Sequence, residues 1–278
     1  MGGRLDELTE ANVNDLARAF KLPSNAVVRA LLRPPARRFA RQVRHLDDLV
    51  GSEGLAAGAR WALRTFTRRV TTIGRDQVPT SGGLLVVANH PGLTDAMALV
   101  LALESRADLK IIALDQAFLR SIPAIASRLL WVGAGDRLAV IQQARAHLNS
   151  GGALLTFPAG TIEPDPSLRD ARESLWAWSP SVVALTRGLR VQVVPMAVAG
   201  VISPTALASP LARWLADPAD REYAAATLQV LFRRYRDTDT RVLVGQPFTP
   251  GVDLPRVLAD RMRFLLGQLA DVAPSTDA

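Results

Sequence analysis

The chain has no cysteine, which excludes disulfides, thiolate metal sites and a cysteine nucleophile. It has only 3 histidines. His45, His90 and His147 are too far apart in sequence to give a ligand-spaced pair, so no metal site is expected. No G-x-S-x-G elbow occurs: Gly51-Ser52 and Ser81-Gly82 lack the required flanks, which argues against a serine hydrolase. Gly133-Ala134-Gly135 lacks the third glycine of a dinucleotide fingerprint, and no Walker-type phosphate loop is present. A membrane-spanning helix needs roughly 18 or more apolar residues in a row. The longest uncharged stretch, 191–212, carries Pro195, Gly200, Pro204 and Pro210 and reads instead as a buried strand followed by a loop. The N-terminus, Met1-Gly2-Gly3-Arg4-Leu5-Asp6-Glu7, has acidic residues and no apolar core, unlike a secretory signal.

What remains is a chain of 278 residues, 49% hydrophobic and 21% charged, long enough to bury a full core. Its net charge of +7 is unevenly placed. Ten arginines between Arg29 and Arg69 face only Asp47, Asp48 and Glu53, while the other residues hold 23 basic and 23 acidic groups. A surplus concentrated in one segment points to an anionic partner. Nucleic acid is not expected, because stacking platforms and recognisable binding motifs are missing.

Residues 1–70 read as helical. After Pro34-Pro35, Phe39, Val43, Leu46 and Val50 keep helical spacing, with Arg37, Arg41 and Arg44 on another face. Beyond a break at Gly51-Ser52-Glu53-Gly54, Ala59, Leu63, Phe66 and Val70 form a second apolar stripe beside Arg60, Arg64 and Arg68. Two readings stand. The pair packs on its own domain with a solvated arginine face, or it is a basic amphipathic hairpin lying on an anionic membrane.

Residues 71–278 change texture. Short apolar runs at 84–88, 110–114, 129–132, 153–157, 191–198 and 241–245 alternate with helical patterns at 95–104, 116–127, 137–149, 171–187, 222–236 and 254–270. Such runs predict an α/β domain, a largely parallel or mixed sheet covered by helices, preceded by the basic helical hairpin.

Asn89-His90-Pro91-Gly92-Leu93-Thr94-Asp95 follows one apolar run and precedes a helical one. His90 then ends a strand and Asp95 starts a helix. Pro91-Gly92 favours a turn that folds Asp95 back towards the imidazole. A carboxylate on one ring nitrogen fixes the tautomer and frees the other nitrogen as a general base. The plainer reading makes Thr94 or Asp95 a helix cap and His90 a loop residue. Gly151 to Thr161 reads as a strand running into a Pro/Gly turn, whose free N–H groups suit an anion or a developing oxyanion. Trp131 to Arg137 is a further strand end, with an arginine at a helix start. Loops at the carboxyl ends of strands share one crevice in open α/β sheets.

Taken together, these segments resemble the glycerolipid acyltransferase family, which includes lysophosphatidate and glycerol-phosphate acyltransferases. His90 to Asp95 matches its N-H-x4-D motif, and Gly133 to Arg137 looks like the second motif. Phe157 to Thr161 is similar to the third, F-P-E-G-T-R, and Val194 to Val198 to the fourth. The basic helices resemble the membrane-docking pair of some members. The resemblance implies O-acyl transfer from an acyl thioester to a lipid hydroxyl, with 1-acylglycerol-3-phosphate one acceptor. His90 would be the base and Asp95 its orienting carboxylate. Arg137 would hold an acceptor phosphate, and Pro158, Ala159, Gly160 and Thr161 would line the substrate, with the Gly160-Thr161 turn offering oxyanion donors.

The same resemblance implies acyl-CoA or acyl carrier protein as co-substrate, no permanently bound cofactor, and a cytoplasmic protein held peripherally on an anionic membrane. Two positions depart from the pattern. Ala159 stands where the family has glutamate, and Ile162 where it has arginine. An F-P-A-G variant resembles branches acting on aminolipids or glycolipids. A thioesterase, or a non-catalytic lipid-surface protein on the same fold, are the other expectations.

Overall fold

The computed structural model describes residues 2–23, 25–133 and 137–271. Three helices come first: α1 (Gly2–Ala19), α2 (Ala26–Glu53) and α3 (Leu55–Phe66). Asn25 caps α2, its side-chain oxygen accepting from the Val28 N–H at 2.9 Å. The helix then runs straight through Pro34 and Pro35, which the sequence pattern places before it. The carbonyls those prolines leave without an N–H belong to Ala30 and Leu31, both exposed. Both lie on the solvent side of the helix, while Ala36 and Ala40 pack inward. Gly54, with φ +91°, ends α2. At Gly58 a Cβ would collide with Val50 Cγ2, so glycine lets α2 and α3 cross closely.

The apolar stripes of this helical pair are buried against the protein itself. Val43, Val50, Ala59 and Leu63 join the core on one face of the sheet, and Phe66 joins a second cluster with Val13 and Leu16 of α1. The arginine faces stay outside. Arg29 and Arg33 pair with Glu10, Arg37 with Asp6, Arg60 with Glu104, and Arg68 and Arg69 with Asp239. The described contacts thus turn the apolar stripes inward and the arginines outward. No helix among the described residues is long and apolar enough to cross a membrane.

Seven strands follow: β1 (Arg69–Ile73), β2 (Gly83–Ala88), β3 (Lys110–Leu114), β4 (Leu129–Val132), β5 (Ala153–Thr156), β6 (Val191–Ala199) and β7 (Asp239–Val244). They form one sheet in the order β1-β7-β6-β2-β5-β3-β4, parallel throughout except where β6 meets β7. The fold is α/β with a mostly parallel sheet, as the alternating pattern predicts. The strand that the pattern misses is β1, a short edge strand with alternating exposure. β2 lies near the middle and is buried on both faces: Leu84, Val86 and Ala88 point into one core, Leu85 and Val87 into the other.

The covering helices are α4 (Asp95–Ala102), α5 (Ala117–Arg120), α6 (Pro123–Ala126), α7 (Arg137–Asn149), α8 (Ser181–Thr186), α9 (Pro204–Leu207), α10 (Pro210–Arg213), α11 (Pro218–Leu231) and α12 (Leu254–Asp271). The helix expected at 116–127 is two single turns, because Pro123 restarts the chain. Asp47 of α2 caps the second of them, accepting from the Ile125 N–H at 2.9 Å. The helix expected at 171–187 is a 3-10 turn at Arg172–Ala177 followed by α8, separated by Ser179-Pro180. Because β6, β2, β5, β3 and β4 are parallel, the loops that follow them all emerge at one edge of the sheet.

Candidate active site

His90 leaves the end of β2 and Asp95 opens α4. Between them the chain reverses, and the His90 Nδ1–H donates to Asp95 Oδ2 at 2.6 Å. The same carboxylate oxygen accepts from the Gly92 N–H at 3.2 Å, and Oδ1 from the Ala96 N–H at 2.6 Å. Asp95 is 0% exposed, and these donors compensate its desolvation. The His90 side chain is 29% exposed, so its ring is reachable from solvent. With Nδ1 committed to Asp95, Nε2 is the free basic nitrogen.

The ionisation of His90 follows from these neighbours. Burial pushes the imidazole down, but the Asp95 charge, its hydrogen bond and the Glu163 charge together hold the pKa above the ordinary value of 6.5. Phe157, the first residue after β5, lies against the ring with centroids 4.6 Å apart. Asn89 fastens the base of the loop. Its Nδ2 donates to the Val198 carbonyl at 2.9 Å, and its Oδ1 accepts from the Val198 N–H at 2.8 Å. This side chain continues the β2–β6 ladder beyond the last paired residues, Ala88 and Met196, and frees the main chain to turn.

The loop after β5 is the second wall. Pro158 is buried, Ala159 half-buried, and Gly160 and Thr161 exposed. Gly160 has φ +67°, and its N–H donates to the Phe157 carbonyl at 3.1 Å. That donor is spent on the turn, so the N–H offered by the pair is that of Thr161. Ile162 stands 40% exposed. The chain then dives inward at Glu163, the carboxylate near the altered third motif that the sequence could not assign a role, and at Asp165. The Asp165 carboxylate accepts from Gly200, Val201 and Ile202 N–H groups at 2.8, 2.8 and 3.1 Å, fixing the turn after β6. That turn packs on Gly92, where a Cβ would meet Val201 Cγ2 at 2.9 Å.

Arg137 is exposed at the first residue of α7, beyond β4. In the sheet order β4 lies three strand steps from β2, roughly 14 Å at ordinary strand spacing. The second motif's Ala134, Gly135 and Asp136 lie outside the described residues. Val194 to Val198, the fourth motif, lies in β6, whose Val191–Met196 stretch pairs with β2. His90, Asp95 and the 157–161 loop are therefore brought together, and Arg137 sits towards the far end of the same edge. Among the described residues, no group of three or more His, Asp or Glu is placed to hold a metal ion.

The mostly parallel sheet carries a His–Asp pair at the end of a strand near its middle. Residues 69–199, from β1 through β6, match the family model described as Acyltransferase. The chain is similar to that family over this stretch, 131 of its 278 residues. Among solved structures, it is similar to the crystal structure of the 1-acyl-sn-glycerophosphate (LPA) acyltransferase, PlsC, from Thermotoga maritima. The two share 18% identity over 98% of this chain and 95% of that one, with a TM-score of 0.49. No curated protein matches the chain.

Proposed function

We propose that the protein moves a fatty acyl group from an acyl thioester, carried by CoA or a carrier protein, to the hydroxyl of a lipid. The observation that carries the reading is the 2.6 Å bond between His90 Nδ1 and Asp95 Oδ2. His90 Nε2 removes the proton of the acceptor hydroxyl as its oxygen attacks the thioester carbonyl. The tetrahedral oxyanion takes a hydrogen bond from the Thr161 N–H. Collapse expels the thiolate, which recovers the proton from His90 and leaves as the thiol. Every atom is accounted for by an ester and a free thiol.

Apolar side chains exposed on the edge where these loops emerge support a lipid substrate: Leu93, Leu114, Leu138, Ile162 and Leu168. A water-filled site for small polar metabolites would not favour them. The acceptor can be a glycerophosphate such as 1-acylglycerol-3-phosphate or a lipid without that phosphate. Ile162, exposed where the resembling family has arginine, favours an aminolipid or glycolipid. Labelled acyl-CoA offered with a panel of lysolipids, aminolipids and glycolipids tests this reading by the mass of the product. Release of free fatty acid alone would mark a thioesterase, and neither product would leave a lipid-binding protein on this fold.

We further propose that the protein works on an anionic membrane surface through its arginines rather than through a buried apolar face. Arg38, Arg41 and Arg44 of α2 and Arg64 of α3 form no ion pair with the other described residues. Arg236 extends the patch: burial, with the charges of Arg38 and Arg233 beside it, holds its pKa below the usual arginine range. Val27 and Leu31, exposed on the same helix, add an apolar edge.

A further inference from the structure

Glu163 is a carboxylate in the wrong place for the motif and in the right place for the site. The third motif of the resembling family has its glutamate where this chain has Ala159. Four residues later the chain turns inward and buries Glu163 to 3% exposure. It meets His90 twice. Its Oε2 accepts from the His90 N–H at 2.9 Å, and its own N–H donates to the His90 carbonyl at 2.8 Å. The other carboxylate oxygen, Oε1, accepts from Ser174 Oγ at 2.7 Å and from the Trp178 indole N–H at 2.8 Å. Ser174 belongs to the Arg172–Ala177 turn and Trp178 follows it directly, so Glu163 ties His90 to a third segment of chain.

Burying a carboxylate with a full set of donors costs much desolvation, and a loop can be held by neutral groups instead. A capping role alone would not need the charge. We propose that Glu163 is a positioning residue for His90, fixing both main-chain groups of the base and holding a negative charge beside its imidazole. Among the described residues, Asp95 and Glu163 are the charged groups that act on the ring, from α4 and from the loop after β5 respectively, and both raise its pKa. Asp95 sets the tautomer through Nδ1. Glu163 sets where the residue sits and adds to the charge that favours proton uptake at Nε2. The inference rests on His90 being the base, and it restores by a different residue the carboxylate that Ala159 removes.

The test uses the full chain, in wild-type form and as Glu163→Gln and Trp178→Phe. With only 3 histidines, the ring resonances of His90 are assigned by comparison with His90→Ala and titrated by NMR without substrate. Turnover of palmitoyl-CoA with a mixed lysolipid panel is followed by thiol release across pH. In Glu163→Gln the His90 titration and the acid limb of kcat both move to lower pH. Its kcat falls about ten- to hundred-fold, and KM for palmitoyl-CoA stays within about twofold. Trp178→Phe keeps the charge but loosens its hold, so kcat falls while the His90 titration stays near wild type. An unmoved His90 titration with unchanged kcat in Glu163→Gln overturns the proposal. If that variant does not fold, unchanged kcat in Trp178→Phe overturns it. A wild type that transfers no acyl group defeats the proposed reaction instead, and the NMR titration still decides the link between Glu163 and His90.

Discussion

Asn89 and Val198 exchange two hydrogen bonds, at 2.9 and 2.8 Å, between one side-chain amide and one peptide unit. Both residues are fully buried. Asn89→Ala strands the Val198 N–H and carbonyl away from water, which is expected to cost about 2–4 kcal/mol. Urea denaturation measures this, and Asn89→Asp is expected to recover only part of it, since the aspartate offers no donor to the Val198 carbonyl.

Asp95→Asn removes the charge that does most to raise the His90 pKa and disturbs the tautomer that leaves Nε2 free. The base works when neutral, so wild-type kcat is expected to rise with pH through an apparent pKa above 6.5. In Asp95→Asn that limb moves to lower pH, and the plateau falls by about 10²- to 10⁴-fold. A raised histidine pKa also means the pair stabilises the fold fully below about pH 6.5, with the contribution lost as pH rises through the folded value. Thermal melts of wild type and Asp95→Asn are expected to draw closer at alkaline pH for this reason.

Gly92→Ala puts a methyl group 2.9 Å from Val201 Cγ2 and 3.3 Å from Ile202 Cδ1. Neither neighbour yields easily, because Asp165 holds the peptide N–H groups of both. The His90 loop must move instead. The variant is expected to lose about 1–2 kcal/mol of stability and about ten- to hundred-fold in kcat. A steady-state assay beside a denaturation curve shows both.

Deleting the first helices is not a clean test of membrane docking, since their apolar stripes are part of the core. Charge reversal is cleaner. Arg38→Glu with Arg41→Glu is expected to weaken binding to phosphatidylglycerol vesicles by about tenfold or more. Raising the salt weakens the wild type in the same direction. A flotation assay with neutral vesicles as control measures the effect.

Much of this fold is legible in the sequence. Strands buried on both faces, such as β2 and β5, stand out as apolar runs, and α7 begins and ends where its pattern does. The edge strand β1 shows no such run, because only alternate residues are half-covered. The passage of α2 through Pro34-Pro35 is hidden because tertiary packing of Ala36 and Ala40 decides it, not local propensity. In the site, His90 and Asp95 are legible because one turn joins them. Glu163 and Asp165 are not, because their partners lie at Ser174, Trp178 and residues 200–202. Two acids each followed by proline, in Ile162-Glu163-Pro164-Asp165-Pro166, are the local sign that this loop turns inward.

The central claim is that His90 performs acyl transfer. It is tested most directly by labelled acyl-CoA incubated with wild type and His90→Ala against a panel of lysolipids and lipid alcohols, with products identified by mass. The expected result is a labelled ester from wild type and none above background from a folded His90→Ala. Full transfer by His90→Ala would contradict the account.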